Sequence, residues 1–179
     1  MRVFVGTDIE GVAGVTSFED QGYATGRYYD RAKRLLTLEV NAAVDALLAE
    51  GATEILVNDG HGPGAISYED LHPKALLLHG RPTAPRSRRD EYIRGYDLTM
   101  MIGQHAMAGN ERATLNHTQS SRAITSYTLN GRLIGEIAQW SLYAGGLGMP
   151  MIFLSGDTEA CKEAEELVLS VGAIDINDR

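Results

Sequence analysis

Five side chains in this sequence have the types and spacing that suit a cation. Asp8 and Glu10 stand in Thr7-Asp8-Ile9-Glu10-Gly11, and His61 follows Asp59 in Asn58-Asp59-Gly60-His61-Gly62. His105 closes Gly103-Gln104-His105, and Glu136 follows Gly135. Carboxylate oxygen and neutral imidazole nitrogen are the ligands such an ion takes where thiolate is almost absent. A tetrahedral ion uses about four of them. Five protein groups plus water are too many for one ion and suit two, with Asp8 bridging. Two divalent ions roughly 3.5–4 Å apart are a hydrolytic device, because they activate water and polarise the group under attack.

Each residue also has a plainer reading. Asp8 can cap the turn after a strand, and Glu136 can offset a helix dipole, worth roughly 0.3–1 kcal/mol. Asp157 is expected to cap the helix that follows it. His61 is harder to explain as packing, since its glycine neighbours give it little to pack against. Asp59 is the expected partner that orients a ligand imidazole. His117, in Leu115-Asn116-His117-Thr118, lies off any strand end. It suits a free acid/base better than a ligand, because imidazole titrates near neutral pH. His72 before Pro73 and His79 before Gly80 read as loop residues.

The elements that must position these groups follow from hydrophobic spacing. Residues 3–5 form a buried apolar run ending at Gly6-Thr7-Asp8. Residues 28–50 place Ala32, Leu36, Val40, Val44 and Leu47 at helical spacing, and Gly51 follows as a C-cap. Residues 54–57 give a second strand, parallel to the first across a right-handed crossover. Further strands are expected at 75–78, 98–102 and 151–154, with helices at 135–144 and 158–170. Residues 123–134 read as a hairpin turning on Asn130-Gly131. This alternation predicts an α/β fold: a mostly parallel sheet flanked by helices on both faces, with a β-hairpin excursion. Such sheets bind ligands outside the carboxyl ends of their strands, where Asp8, Glu10, His61 and His105 fall.

The chain has 179 residues, read as one catalytic domain over 1–179. A formal charge of −8 argues against nucleic acid, which needs clustered Lys and Arg. The one basic cluster, Arg86, Arg88, Arg89 and Arg94, reads as a solvated loop. Cys161 is the only cysteine, which excludes an intrachain disulfide, and its place in a helix suits a buried structural thiol. The run from Met1 straight into a strand leaves no room for a signal peptide. No apolar run approaches the roughly 20 residues needed to cross a bilayer. The expected setting is cytoplasmic, away from membranes.

Taken together, Thr7-Asp8-Ile9-Glu10-Gly11, Val57-Asn58-Asp59-Gly60-His61, Gly103-Gln104-His105-Ala106, Asn116-His117-Thr118 and Gly135-Glu136 resemble the DppA-type D-aminopeptidases, the M55 metallopeptidase family. Leu71-His72-Pro73-Lys74-Ala75 and Ser155-Gly156-Asp157 fit the same pattern. The resemblance implies two Zn2+ ions per chain, release of N-terminal D-amino acids from short peptides, and ring-stacked homo-oligomers, decamers in that family. It implies that Asp8 bridges both ions, with Glu10 and His61 completing one site and His105 and Glu136 the other. His117 matches the catalytic histidine. Family members continue further, so their C-terminal segment is expected to be missing here, and residues 171–179 match no part of the pattern. Two rival readings stand: a dinuclear metallophosphoesterase, and an inactive truncated homologue keeping only the fold. The first lacks an anion cradle, since the Gly-rich stretches have no neighbouring Lys and the strand ends no Arg.

Overall fold

Short apolar runs stopped by polar residues set the frame of a computed structural model, which describes residues 1–168 and 171–176. In chain order the elements are β1 (Arg2–Thr7), α1 (Tyr29–Ala49), β2 (Glu54–Asp59), β3 (Ala75–Leu78), α2 (Arg86–Ile93) and β4 (Leu98–Gln104). There follow β5 (Thr128–Leu129), β6 (Arg132–Leu133), α3 (Glu136–Gly146), β7 (Met151–Gly156), α4 (Thr158–Leu167) and β8 (Gly172–Asp175). Six strands pair in the order β3-β2-β1-β4-β7-β8, and every pairing in that sheet is parallel.

Strand alternation divides the core in two. Val3, Val5, Ile55, Val57 and Ile102 point to one face, where α1 buries Ala32, Leu36, Val40 and Val44 against them. Phe4, Leu56, Met101 and Leu154 point to the other, against α2, α3 and α4 through Ile93, Ile137 and Ala160. Both faces being covered, the strands are apolar throughout, as the sequence shows.

The expected strands and long helices are all present, and three details differ. Residues 86–93 form a helix and not a solvated loop. That helix buries only Ile93, so it carries no apolar stripe to announce it, and Arg86 stacks 4.3 Å over the Tyr143 ring. Residues 172–175, in the tail without a motif, add β8 as an edge strand beside β7. The hairpin is shorter than expected, pairing only 128–129 with 132–133, because its residues are exposed and nothing buries a longer ribbon. Its turn does use Asn130 and Gly131 at φ 52° and 79°. The end of the helix expected over 158–170 falls partly outside the described residues.

The sheet changes direction between β1 and β4, since β2 and β3 lie to one side of β1 and the later strands to the other. Loops leaving such a switch point diverge and open a crevice. Here the backbones stay close: Asp8 N donates to Ile102 O at 3.0 Å and Gly11 N to Gly103 O at 2.9 Å. A Cβ on Gly11 would lie 1.9 Å from the Gln104 carbonyl oxygen, so only glycine fits there.

Candidate metal centre

The crevice at the switch point gathers all five predicted cation ligands and His117. Asp8 and Glu10 arrive from the end of β1, His61 from the loop after β2, His105 from the end of β4, and Glu136 from the first turn of α3. Asp8, Glu10, His61 and His105 are buried, a costly arrangement unless they are paired or hold a metal. Two overlapping sets have ligand atoms mutually within 4.8 Å: Asp8, Glu10 and His105, and then His105, His117 and Glu136. His61 closes on the first set, its Nδ1 lying 3.1 Å from both Asp8 Oδ1 and Glu10 Oε2. His105 Nε2 lies 3.3 Å from Asp8 Oδ2 and 3.5 Å from Glu136 Oε1.

Each imidazole has one nitrogen tied to a backbone carbonyl, which can only accept. His61 Nε2 donates to Gly22 O at 2.8 Å, His105 Nδ1 to Ala106 O at 2.9 Å, and His117 Nδ1 to Leu115 O at 3.0 Å. The other nitrogen therefore turns toward carboxylates in every case. This is the outer support that fixes the tautomer of a metal-bound histidine. His105 Nε2 and Glu10 Oε2 are buried without a hydrogen bond, as atoms awaiting a cation would be. Ligands on tetrahedral bonds of about 2.0–2.2 Å stand about 3.3–3.6 Å apart, close to the spacings here. The donor set fits zinc.

The charges of the metal-free cluster lean on one another. Burial pushes the Asp8 carboxyl up, but His105 and His61 outweigh it and hold it well below the usual carboxylate range. Burial and then the charge of Asp8 push Glu10 up to about 7, against the pull of His61. Burial disfavours the charged form of His61, yet Asp8 and Glu10 raise it to about 10. His105, opposed by its own burial, is raised well above an ordinary imidazole by Asp8 and Glu136. His117 goes the other way: burial first, then the charge of His105, lowers it. The carboxylates thus favour positive charge at His61 and His105, as they would favour a cation placed between them.

His117 lies closer to the cluster than its distance along the chain suggests. Its ring stacks on His105 at 3.9 Å, and its Nε2 stands 3.8 Å from Glu136 Oε1. Glu136 Oε1 in turn accepts from Gln119 N at 2.7 Å. Asp59 does not orient His61. Its oxygens accept from Ala65 N and Ile66 N and pair with His79 Nδ1 at 2.7 Å, so it is fully engaged in shaping the loop after β2. Arg81 braces the same loop by donating to the carbonyls of Asp59, His61 and Gly62. Gly22 and Phe18, the latter edge-on to the His117 ring at 5.4 Å, complete the surroundings. No residue type announces a backbone carbonyl 39 positions away.

A cleft of about 690 Å³ opens beside the centre, bordered by Asp8, Gln104, Glu136 and Trp140. A larger groove of about 790 Å³ lies on the α1 side near β8 and holds none of the site residues. Asp157 caps α4 as expected, accepting from Glu159 N and Ala160 N, and Cys161 is buried in that helix. Among the described residues no helix is long and apolar enough to cross a membrane.

Residues 1–178 match the M55 peptidase family, described as D-aminopeptidase. A D-aminopeptidase of Bacillus subtilis (strain 168) is 31% identical over 176 residues, covering 96% of this chain and 61% of that relative. The structure of the Zn-dependent D-aminopeptidase DppA from Bacillus subtilis, described as a self-compartmentalizing protease, has a TM-score of 0.83 at 28% identity. That match covers 98% of this chain and 63% of the other, so this chain spans less than two thirds of either relative. With fold and family agreeing from end to end, the chain belongs to the D-aminopeptidase family of M55 peptidases.

Proposed function

We propose that the chain is a zinc-dependent aminopeptidase that releases N-terminal D-amino acids from short peptides at a dinuclear centre. One observation carries the reading. Asp8 turns Oδ1 toward His61, at 3.1 Å, and Oδ2 toward His105, at 3.3 Å, so its two oxygens serve two separate ligand groups. Asp8, Glu10 and His61 would hold one ion, and Asp8, His105 and Glu136 the other.

When bound, a zinc pair acidifies water and polarises a carbonyl oxygen. The chain supplies the rest. The Gly22 and Ala106 carbonyls keep the ring nitrogens of His61 and His105 aimed inward. Burial keeps water from competing for the same carboxylates. His117 is neutral near pH 7 and its Nε2 makes no hydrogen bond among the described residues, so it accepts a proton during attack and returns it to the leaving amine. The N-terminal amine of a peptide, in its neutral form, would be a lone-pair donor to the centre, which favours cleavage at the first residue. On this reading copies of the chain assemble, as the self-compartmentalizing relative suggests, and a buried lone cysteine suits a cytoplasmic setting.

The test is zinc content together with hydrolysis of D-alanyl-D-alanine, L-alanyl-L-alanine and a phosphodiester. About two zinc ions per chain and turnover of the D-dipeptide ahead of the other two are expected. A metal-poor chain, or one that cleaves only the phosphodiester, overturns the reading.

A further inference from the structure

The cleft beside the metal centre also holds donors that are unmatched. Arg86 and Arg89 from α2 and Gln139 from α3 border it together with Asp8 and Glu136. Arg89 Nε is buried without a hydrogen-bond partner, and so is Gln139 Nε2. The Gln139 amide is oriented, because its Oε1 accepts from Gln119 Nε2 at 3.0 Å, leaving the NH2 group as the free side. Among the described residues no carboxylate lies within ion-pair distance of Arg86 or Arg89, and the nearby Asp90 accepts from Tyr143 OH at 2.5 Å. Buried donors with nothing to donate to are costly and mark a place where an acceptor comes from outside.

The cleft thus carries cationic donors as well as residues of the metal centre. A ligand that suits both is a short peptide with its neutral N-terminal amine at the metal centre and its carboxylate at the arginines. Two extended residues span about 7 Å, and a cleft of this volume is of the usual size for a small ligand. A guanidinium is the side chain best shaped to grip a carboxylate.

Building on the aminopeptidase reading, we infer that Arg89, with Arg86 one turn before it on α2 and Gln139 lining the same cleft, forms a subsite for the C-terminal carboxylate of a dipeptide. The enzyme then selects free-acid dipeptides over amides and longer chains. Arg89 is here a specificity residue and takes no part in bond cleavage.

Trp140 borders the cleft and is the only tryptophan, so its fluorescence reports occupancy without turnover. The zinc-loaded protein is titrated with an uncleavable D-alanyl-D-alanine, its amide replaced by CH2–NH, as free acid and as carboxamide. The free acid binds about tenfold or more tighter, as a charge-assisted contact implies. In Arg89→Gln the two probes bind within about twofold of each other, and Arg89→Lys falls between. Thermal unfolding checks that the variants fold; if Arg89→Gln does not, the wild-type ratio and Arg89→Lys still decide. Equal affinity of acid and amide, failure of both to bind, or a preference that survives in Arg89→Gln overturns the subsite. If acid preference holds but no peptide is cleaved, the function proposed above fails and the subsite stands. If dipeptides and their amides are cleaved equally well with equal KM, the function stands and the subsite fails.

Discussion

Asp8 Oδ2 and His105 Nε2 face each other at 3.3 Å across the ends of β1 and β4, neighbours in the sheet although 97 residues separate them in the chain. Register brings them there: Thr7 pairs with Ile102, and the Asp8 amide then continues the ladder to the Ile102 carbonyl. The contact has no hydrogen bond at Nε2, which is what an ion shared between the two would require.

Removing either member should empty the centre. Asp8→Ala is expected to lower zinc from about two ions per chain to well below one, because the same carboxylate faces both ligand groups. Metal analysis of the purified variant checks this. Retention of both ions would show that Asp8 does not bridge.

His117→Ala separates chemistry from metal binding. Turnover should fall by about 10²–10⁴-fold, the usual contribution of a positioned acid/base, with zinc content unchanged. Loss of an ion in this variant would make His117 a ligand, as its proximity to His105 and Glu136 permits.

Zinc uptake should expel protons. In the metal-free chain His61, raised to about 10, and His105, raised well above its ordinary value, both carry protons at pH 7, and ligation requires their neutral forms. Calorimetry in buffers of different ionisation enthalpy should find more than two protons released per chain near pH 7, from His61 and His105 and in part from Glu10, which is raised to about 7. The sign for stability is set by the raised imidazole. In the metal-free chain the stabilisation from His61 is complete below its unfolded value of about 6.5 and is lost as pH rises through about 10. Melting curves of metal-free and zinc-loaded protein should therefore diverge across that interval.

Gly11→Ala tests the close backbone contact under the centre. A methyl 1.9 Å from the Gln104 carbonyl cannot be relieved by a rotamer change. Overpacking of about 1–3 kcal/mol should lower Tm by about 2–12 °C and reduce zinc affinity. Gly145→Ala is the control: it lies within α3 with open space around it, and should hold or slightly raise Tm.

Much of this was readable before any coordinates. Asp8, Glu10, His61 and His105 each follow an apolar run that stops at a polar residue, and a parallel sheet carries all such stops to one edge. Glu136 was marked by the hairpin turn and helix start around it. Other features left no trace in the sequence. The α2 helix buries one residue, so its arginines look like those of a loop, and β8 is a four-residue edge strand with no alternation strong enough to stand out. The pairing of Asp59 with His79 instead of His61 depends on how the loop after β2 folds back, and spacing does not encode that. Arg89 and Gln139 line one cleft from separate helices, visible only once both helices pack on the sheet.

The Ala106 carbonyl accepts both the His105 ring N–H at 2.9 Å and the His117 backbone N–H at 3.3 Å. A single peptide oxygen thereby joins the ring of a candidate metal ligand to the backbone of the candidate acid/base. On the proposed reading, a tilt of the first ring on taking up an ion would reach the second residue through that shared anchor. Loading the centre and aligning the acid/base would then go together, and a half-loaded centre would be poorly placed to act on water.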